Sequence, residues 1–270
     1  MSQAEHRVRL LNDWGVIQPG SRILELGCGQ GDCTEVLAEA VGPSGTVDAV
    51  DPASLDYGAP FTLGQAQGQL SSGPLGDRIT WHQASPEPFL HEASKNGRTW
   101  DVVVLVHCIW YFKSPEILGS ILQALKNRTS TICIAEYALH ATHPAASTHV
   151  LAALARAGLE THKLESDENI QTILSPAQIK DACASAGWKI EHESILTPEP
   201  ALRDGFWETS TVASGDFLVE IDSHVKDERA KTYLRAARDA VLSSVATTGN
   251  IKDTRTMDVW TAVLNPLATE

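Results

Sequence analysis

The spacing of apolar residues changes period repeatedly along the first half of the chain. Short apolar runs at 22–26, 46–50, 78–83, 101–106 and 131–135 have the length of buried strands. The fourth holds five consecutive apolar residues, Val102 to Val106, which suits a strand covered on both faces. Between the runs the period becomes helical. Val36, Leu37, Ala40 and Val41 fall on one face of a helix over 32–41. Further helices are expected at about 3–14, near 63–70, and at 87–95. Ser114-Pro115 provides an N-cap and a first-turn proline for a helix running to about Leu125. Strands alternating with helices predict an α/β fold with a doubly wound sheet.

Beyond Glu136 the alternation loosens. An alanine-rich helical segment spans 144–164, and Ser175-Pro176 caps a helix that Gly187 ends. Residues 188–195 form a sixth strand, 198–250 are acidic and mostly helical, and 257–264 form a last strand. The stretch 52–77 is longer than a plain connection.

The first strand runs into Glu25-Leu-Gly27-Cys28-Gly29-Gln-Gly31. Alternate glycines allow a sharp turn and let a ligand approach without meeting a Cβ. The second strand delivers Asp51 to a carboxyl-terminal sheet edge, where open α/β sheets bind ligands and an acid can accept both ribose hydroxyls. A dinucleotide fingerprint, GxGxxG, would need a glycine where this chain has Asp32, so the spacing opposes an NAD-dependent oxidoreductase.

The acid two residues before the first glycine, the three alternating glycines, the helix and the distant Asp51 together resemble motif I of the class I S-adenosylmethionine-dependent methyltransferases. The resemblance implies a Rossmann-like fold: a mostly parallel seven-stranded sheet, an antiparallel hairpin at its edge, and a helical cap. One domain over 1–270 is then expected, with cap inserts at about 137–175 and 198–250. It implies S-adenosyl-L-methionine as cofactor, with Glu25, Gly27, Cys28, Gly29 and Gly31 toward its methionyl end and Asp51 on its ribose. After strand three the family often carries Gly-Asp-Ala and then Pro-Phe. Here His82-Gln83-Ala84 precedes Pro88-Phe89, so Gln83 stands where the adenine-binding acid is common, with Ala84 beside it. A glutamine amide oxygen can still accept from the exocyclic amine.

In the resembled fold the end of strand four faces the transferred methyl. The cluster His107-Cys108-Ile109-Trp110-Tyr111-Phe112 follows that strand. His107 is the leading general base and a cofactor neighbour, Glu136 at the end of strand five the second base candidate, and Tyr111 a third catalytic candidate. Tyr57, Trp110, Tyr111 and Glu136 are expected to face the substrate. Tyr57 in its insert and the HCIWYF stretch look like a small-molecule branch often labelled similar to cyclopropane-fatty-acid synthases. Lipid cyclopropanation is not carried over, because no lipid-facing apolar surface is evident.

Composition narrows the partners. The net charge is −13 over 270 residues, with no Lys/Arg cluster. Nucleic-acid binding rests on basic surfaces, so DNA and RNA are not expected as substrates, and anionic membranes are disfavoured for the same reason. No apolar run approaches the ~20 residues needed to span a bilayer. Five cysteines without a CxxC pair fit a reduced, cytoplasmic location. His140, His143 and His149 lack the converging ligands of a metal site, and no metal is expected. The expected activity is methylation of a small molecule, at a hydroxyl or carboxylate oxygen. A non-methylating cofactor-binding protein on the same fold is the other alternative, because fold alone does not fix function. The sequence leaves the oligomeric state open.

Overall fold

The computed structural model describes residues 3–166 and 168–267. Seven strands form one sheet: β1 (Arg22–Leu26), β2 (Thr46–Asp51), β3 (Ile79–Gln83), β4 (Val102–Val106), β5 (Ile132–Tyr137), β6 (Trp188–Leu196) and β7 (Val259–Pro266). Their spatial order is β3-β2-β1-β4-β5-β7-β6, and β7 alone runs opposite to the other six. The last two strands pair antiparallel as expected, with β7 inserted between β5 and β6 and β6 forming the edge.

Side chains alternate across the sheet, and each face has its own core. Leu24, Leu26, Val103, Leu105, Ile132 and Ile134 pack beneath α4 (Pro86–Lys95), α5 (Glu116–Ala124) and α7 (Pro176–Ser185). Ile23, Val47, Val102, Val104, Cys133 and Ala135 pack on the other face against α1 (Gln3–Trp14) and α2 (Asp32–Val41). The head of α5 differs from the sequence expectation. Pro115, rather than Ser114, occupies the N-cap of α5, and it supplies no side-chain hydrogen bond.

A short helix α3 (Leu63–Ser71) lies in the long β2–β3 connection, opened by a capping box between Thr62 and Gln65. In the alanine-rich segment, Pro144 starts a single 3-10 turn and α6 (Ser147–Glu160) follows. The acidic stretch folds as α8 (Asp204–Ala213), α9 (Asp216–His224) and α10 (Glu228–Thr248). These three helices and α6 share a separate apolar cluster built on Leu159, Val212, Phe217, Ile221, Leu234 and Val241.

Winding reverses between β1 and β4: the chain leaves β1 toward β3 on one side and returns through β4 and β5 on the other. That reversal opens a crevice outside the carboxyl ends of the strands. Pairing of Leu26 with Val50 and Leu105, of Asp51 with Gln83, and of Val106 with Ala135 keeps those ends level. The glycine turn, Asp51, Gln83, His107 and Glu136 therefore share one rim.

Candidate active site

Backbone geometry at the turn after β1 requires its glycines. Gly27, Gly29 and Gly31 have φ of 77°, 52° and 98°, in the left-handed region that side chains disfavour. The three nevertheless differ. A Cβ on Gly27 would lie 2.3 Å from the Cys108 Cβ, and one on Gly31 would lie 2.7 Å from Leu70. A Cβ on Gly29 would meet nothing within 4 Å. Gly27 and Gly31 thus serve packing, whereas Gly29 borders open space.

Asp51 fixes that middle residue. Its carboxylate accepts from the Gly29 N–H at 2.8 Å and the Ala53 N–H at 2.9 Å. With about four acceptor positions on an ionised carboxylate, two remain for a ligand. Gln67 on α3 donates to the Gly29 carbonyl at 2.8 Å. Beneath the turn, Glu25 is buried and accepts from the Thr34 hydroxyl at 2.5 Å. Burial pushes the Glu25 carboxyl up to about 7, against that hydrogen bond. A cavity of about 300 Å³ opens beside Asp51, lined among others by Leu55, Gln67, Trp81, His82 and Gln83.

The neighbouring strand ends carry a different chemistry. His107 has a left-handed backbone, φ 49°, and its side chain is nearly buried. Its Nδ1 lies 3.6 Å from Glu136 Oε1, and its Nε2 lies 3.4 Å from Nε2 of His6 on α1. The ring packs on Tyr137 with centroids 4.4 Å apart. Burial, with the Arg7 charge in support, holds the imidazole well below its ordinary pKa, so it is neutral at pH 7. Glu136 accepts from the Ile109 N–H and the Tyr137 N–H, both at 3.0 Å. Burial raises its carboxyl to about 7 although these backbone donors oppose the shift. Glu136 thus clamps the turn that presents His107 as well as facing its ring.

Helix α8 brings two more acids to this end of the sheet. Asp204 and Glu208, one helical turn apart, share a face. Asp204 accepts from Gln3 at 3.2 Å and from the Tyr137 hydroxyl. Burial raises both carboxyls, Glu208 to about 7. A second, polar cavity of about 700 Å³ lies outside them, lined by Tyr57, Lys113, Glu165, Glu168, Trp207 and Glu208 among others. Tyr57 donates to Asn169 at 3.3 Å on its margin. Half-exposed Tyr111 closes the 3-10 turn that follows β4, four residues after His107.

Residues 3–193 match the methyltransferase-domain family. The chain belongs to that family. The methyltransferases phomM and phomM' of Diaporthe leptostromiformis are 27% identical to it, over 90% of this chain and 72% of theirs. The crystal structure of a cyclopropane-fatty-acyl-phospholipid synthase-like protein from Lactobacillus casei superposes with a TM-score of 0.84. It is 30% identical and covers 97% of this chain and 90% of its own. Mycolic acid cyclopropane synthase CmaA1, solved with S-adenosylhomocysteine, shares the fold at 14% identity and a TM-score of 0.57, over 98% of this chain and 86% of its own. The protein is therefore an S-adenosylmethionine-dependent methyltransferase with a Rossmann-like fold, and its cofactor is S-adenosyl-L-methionine.

The rim gathers most residues expected from the sequence and separates others. Glu25, Gly27, Cys28, Gly29, Gly31 and Asp51 cluster at the turn, and Gln83 lines the smaller cavity. Ala84 donates its N–H to the Asp51 carbonyl and packs toward the core. Trp110 turns away: it is buried, its indole N–H bonds the Leu174 carbonyl, and its own carbonyl accepts from Gln171 and Thr172. It anchors the segment before α7 rather than lining either cavity. His140 pairs with Asp258, His143 caps the Pro144 turn, and buried His149 accepts from the Met257 N–H. Sequence reasoning missed His6, Arg7, Gln67, Trp81, Tyr137, Asp204 and Glu208. Trp81 follows alternation in β3 and could have been found by its register; the others come from separate segments with no shared motif.

Proposed function

We propose that this methyltransferase acts on a small molecule, at the oxygen of a hydroxyl or carboxylate. The observation that carries the reading is the neutral, buried His107 backed by Glu136 at the end of β4. The cofactor supplies an electrophilic methyl group. The residues present fit it: the cavity beside Asp51 suits a nucleoside, Asp51 retains acceptor capacity for ribose hydroxyls, and Gln83 offers an amide oxygen to adenine. Glu25, Gly27, Cys28, Gly29, Gly31 and Ala84 complete the cofactor side in this reading, and His107 borders it.

A neutral imidazole can take the proton of a hydroxyl as it becomes a nucleophile, a contribution of about 10²–10⁴ in rate. Glu136 would stabilise the imidazolium so formed. A carboxylate acceptor needs no deprotonation, and the pair would then orient it. Tyr111 and Tyr57 line the acceptor's way in, with residues 137–175 and 198–250 forming the cap of one domain. Net charge −13 supports a non-nucleic-acid substrate. The buried free cysteines support a reducing, cytoplasmic setting. Among the described residues no helix is long and apolar enough to cross a membrane.

One observation favours a second reading. The acidic face of α8, beside half-exposed Tyr57, Tyr111 and Trp207, suits an acceptor carrying an amine. The test is methyl-labelled cofactor offered with matched panels of phenols, carboxylic acids and amines. Labelled ethers or esters support the oxygen reading; label confined to amines rejects it in favour of the second.

A further inference from the structure

Helix α1 carries a buried guanidinium that makes no contact ion pair among the described residues. Arg7 is 9% exposed, and its Nε and Nη1 are buried without an acceptor. The carboxylates that feel its charge bond other groups instead. Glu136 is held by two backbone N–H groups, Asp204 by Gln3, and Glu25 by Thr34. Arg7 makes no ion pair among the described residues. A buried, unpaired guanidinium is costly, and a fold that keeps one gains only when an anion meets it.

Its position limits which anion. The Arg7 charge acts on Glu25 and Cys33 below the glycine turn, and equally on His107, Glu136, Tyr137 and Asp204 around the crevice. Helix α1 packs on α2, the helix that leaves the glycine turn, so Arg7 is buried on an element that reaches from that turn toward the end of β4. His6, its neighbour on α1, stacks on His107 with centroids 5.6 Å apart, so the same helical turn touches the candidate base.

We propose that Arg7 is a carboxylate-binding residue of the reaction crevice, supplied by the amino-terminal helix. Two carboxylates can reach such a place: that of the cofactor's amino-acid end, and that of an acidic acceptor. The packing of α1 on α2, the helix that follows the glycine turn, puts the cofactor first. The inference rests on the cofactor and not on which acceptor atom is methylated.

Calorimetric titration separates the sources. Wild type, Arg7→Met and Arg7→Lys are titrated with S-adenosylhomocysteine and with its decarboxylated analogue, which keeps the nucleoside and the amine. Arg7→Met should weaken S-adenosylhomocysteine about 10- to 100-fold, as loss of a charge-assisted hydrogen bond does, and leave the analogue unchanged. Arg7→Lys should recover part of the loss. Unchanged binding of S-adenosylhomocysteine with a raised KM for a carboxylate acceptor would also support the site and name the acceptor as its source. Equal weakening of both ligands, or no change in either with an unaltered acceptor KM, overturns the proposal.

Discussion

The two ends of the strand rim are built differently. On the β1–β2–β3 side, one continuous stretch of chain makes the glycine turn, the helix behind it and Asp51, and backbone hydrogen bonds hold the arrangement. On the β4–β5 side, His107, Glu136, His6, Arg7, Tyr137 and Asp204 come from four segments up to about two hundred residues apart, packed into a nearly dry cluster of ionisable groups. The first half is shaped for a ligand by local geometry. The second is tuned by burial, which drives Glu136 and Glu208 to about 7 and holds the imidazoles of His6 and His107 well below their ordinary value. Local geometry fixes where a nucleoside fits; burial fixes which groups can move a proton.

The largest expected effect tests the second half alone. His107→Asn keeps a side chain that tolerates the left-handed backbone. It should lower kcat by about 10²–10⁴ while cofactor affinity changes little. Steady-state kinetics beside a cofactor titration checks both arms. Wild-type turnover would leave His107 as packing. With a carboxylate acceptor the loss should be smaller and appear partly in KM.

Gly29→Val probes the first half. A branched side chain would enter the open space at Gly29, so S-adenosylhomocysteine should no longer raise the Tm. In the wild type, ligand at 100 times its Kd stabilises by about 2.7 kcal/mol, and NAD should give no shift. A retained shift in the variant would detach the turn from cofactor binding.

Gly27→Ala should behave otherwise, because its Cβ would collide with Cys108 rather than with a ligand. The expected outcome is a ligand-free protein destabilised by about 1–3 kcal/mol, measured by urea unfolding. Together the two glycine variants separate a loop shaped by packing from one shaped for a ligand.

The smallest effect is a pH slope. Glu25 has a folded pKa of about 7, above its ordinary value, so the folded state holds a proton that the unfolded state releases. The associated stability is complete below pH ~4.5 and is lost as pH rises toward 7, at no more than about 1.4 kcal/mol per unit. Wild type should therefore lose Tm between pH 5 and 7 more steeply than Glu25→Gln. Parallel curves would show that Glu25 titrates alike in both states.

Short apolar runs and helical faces determined the strand and helix order, because strand burial and helix amphipathicity leave a local periodic trace. The Glu25–Gly31 spacing and Asp51 were legible for the same reason: a turn with positive φ and a strand end are properties of adjacent residues. Tertiary structure alone decided the rest. It inserted β7 between β5 and β6, set Pro115 at the head of α5, and turned Trp110 toward Leu174. It also carried Arg7 and His6 from the first helix, and Asp204 and Glu208 from a distant cap helix, to the end of β5. Nothing in the spacing of those residues marks them, because proton affinity and charge pairing depend on burial and on neighbours across the fold, not along the chain.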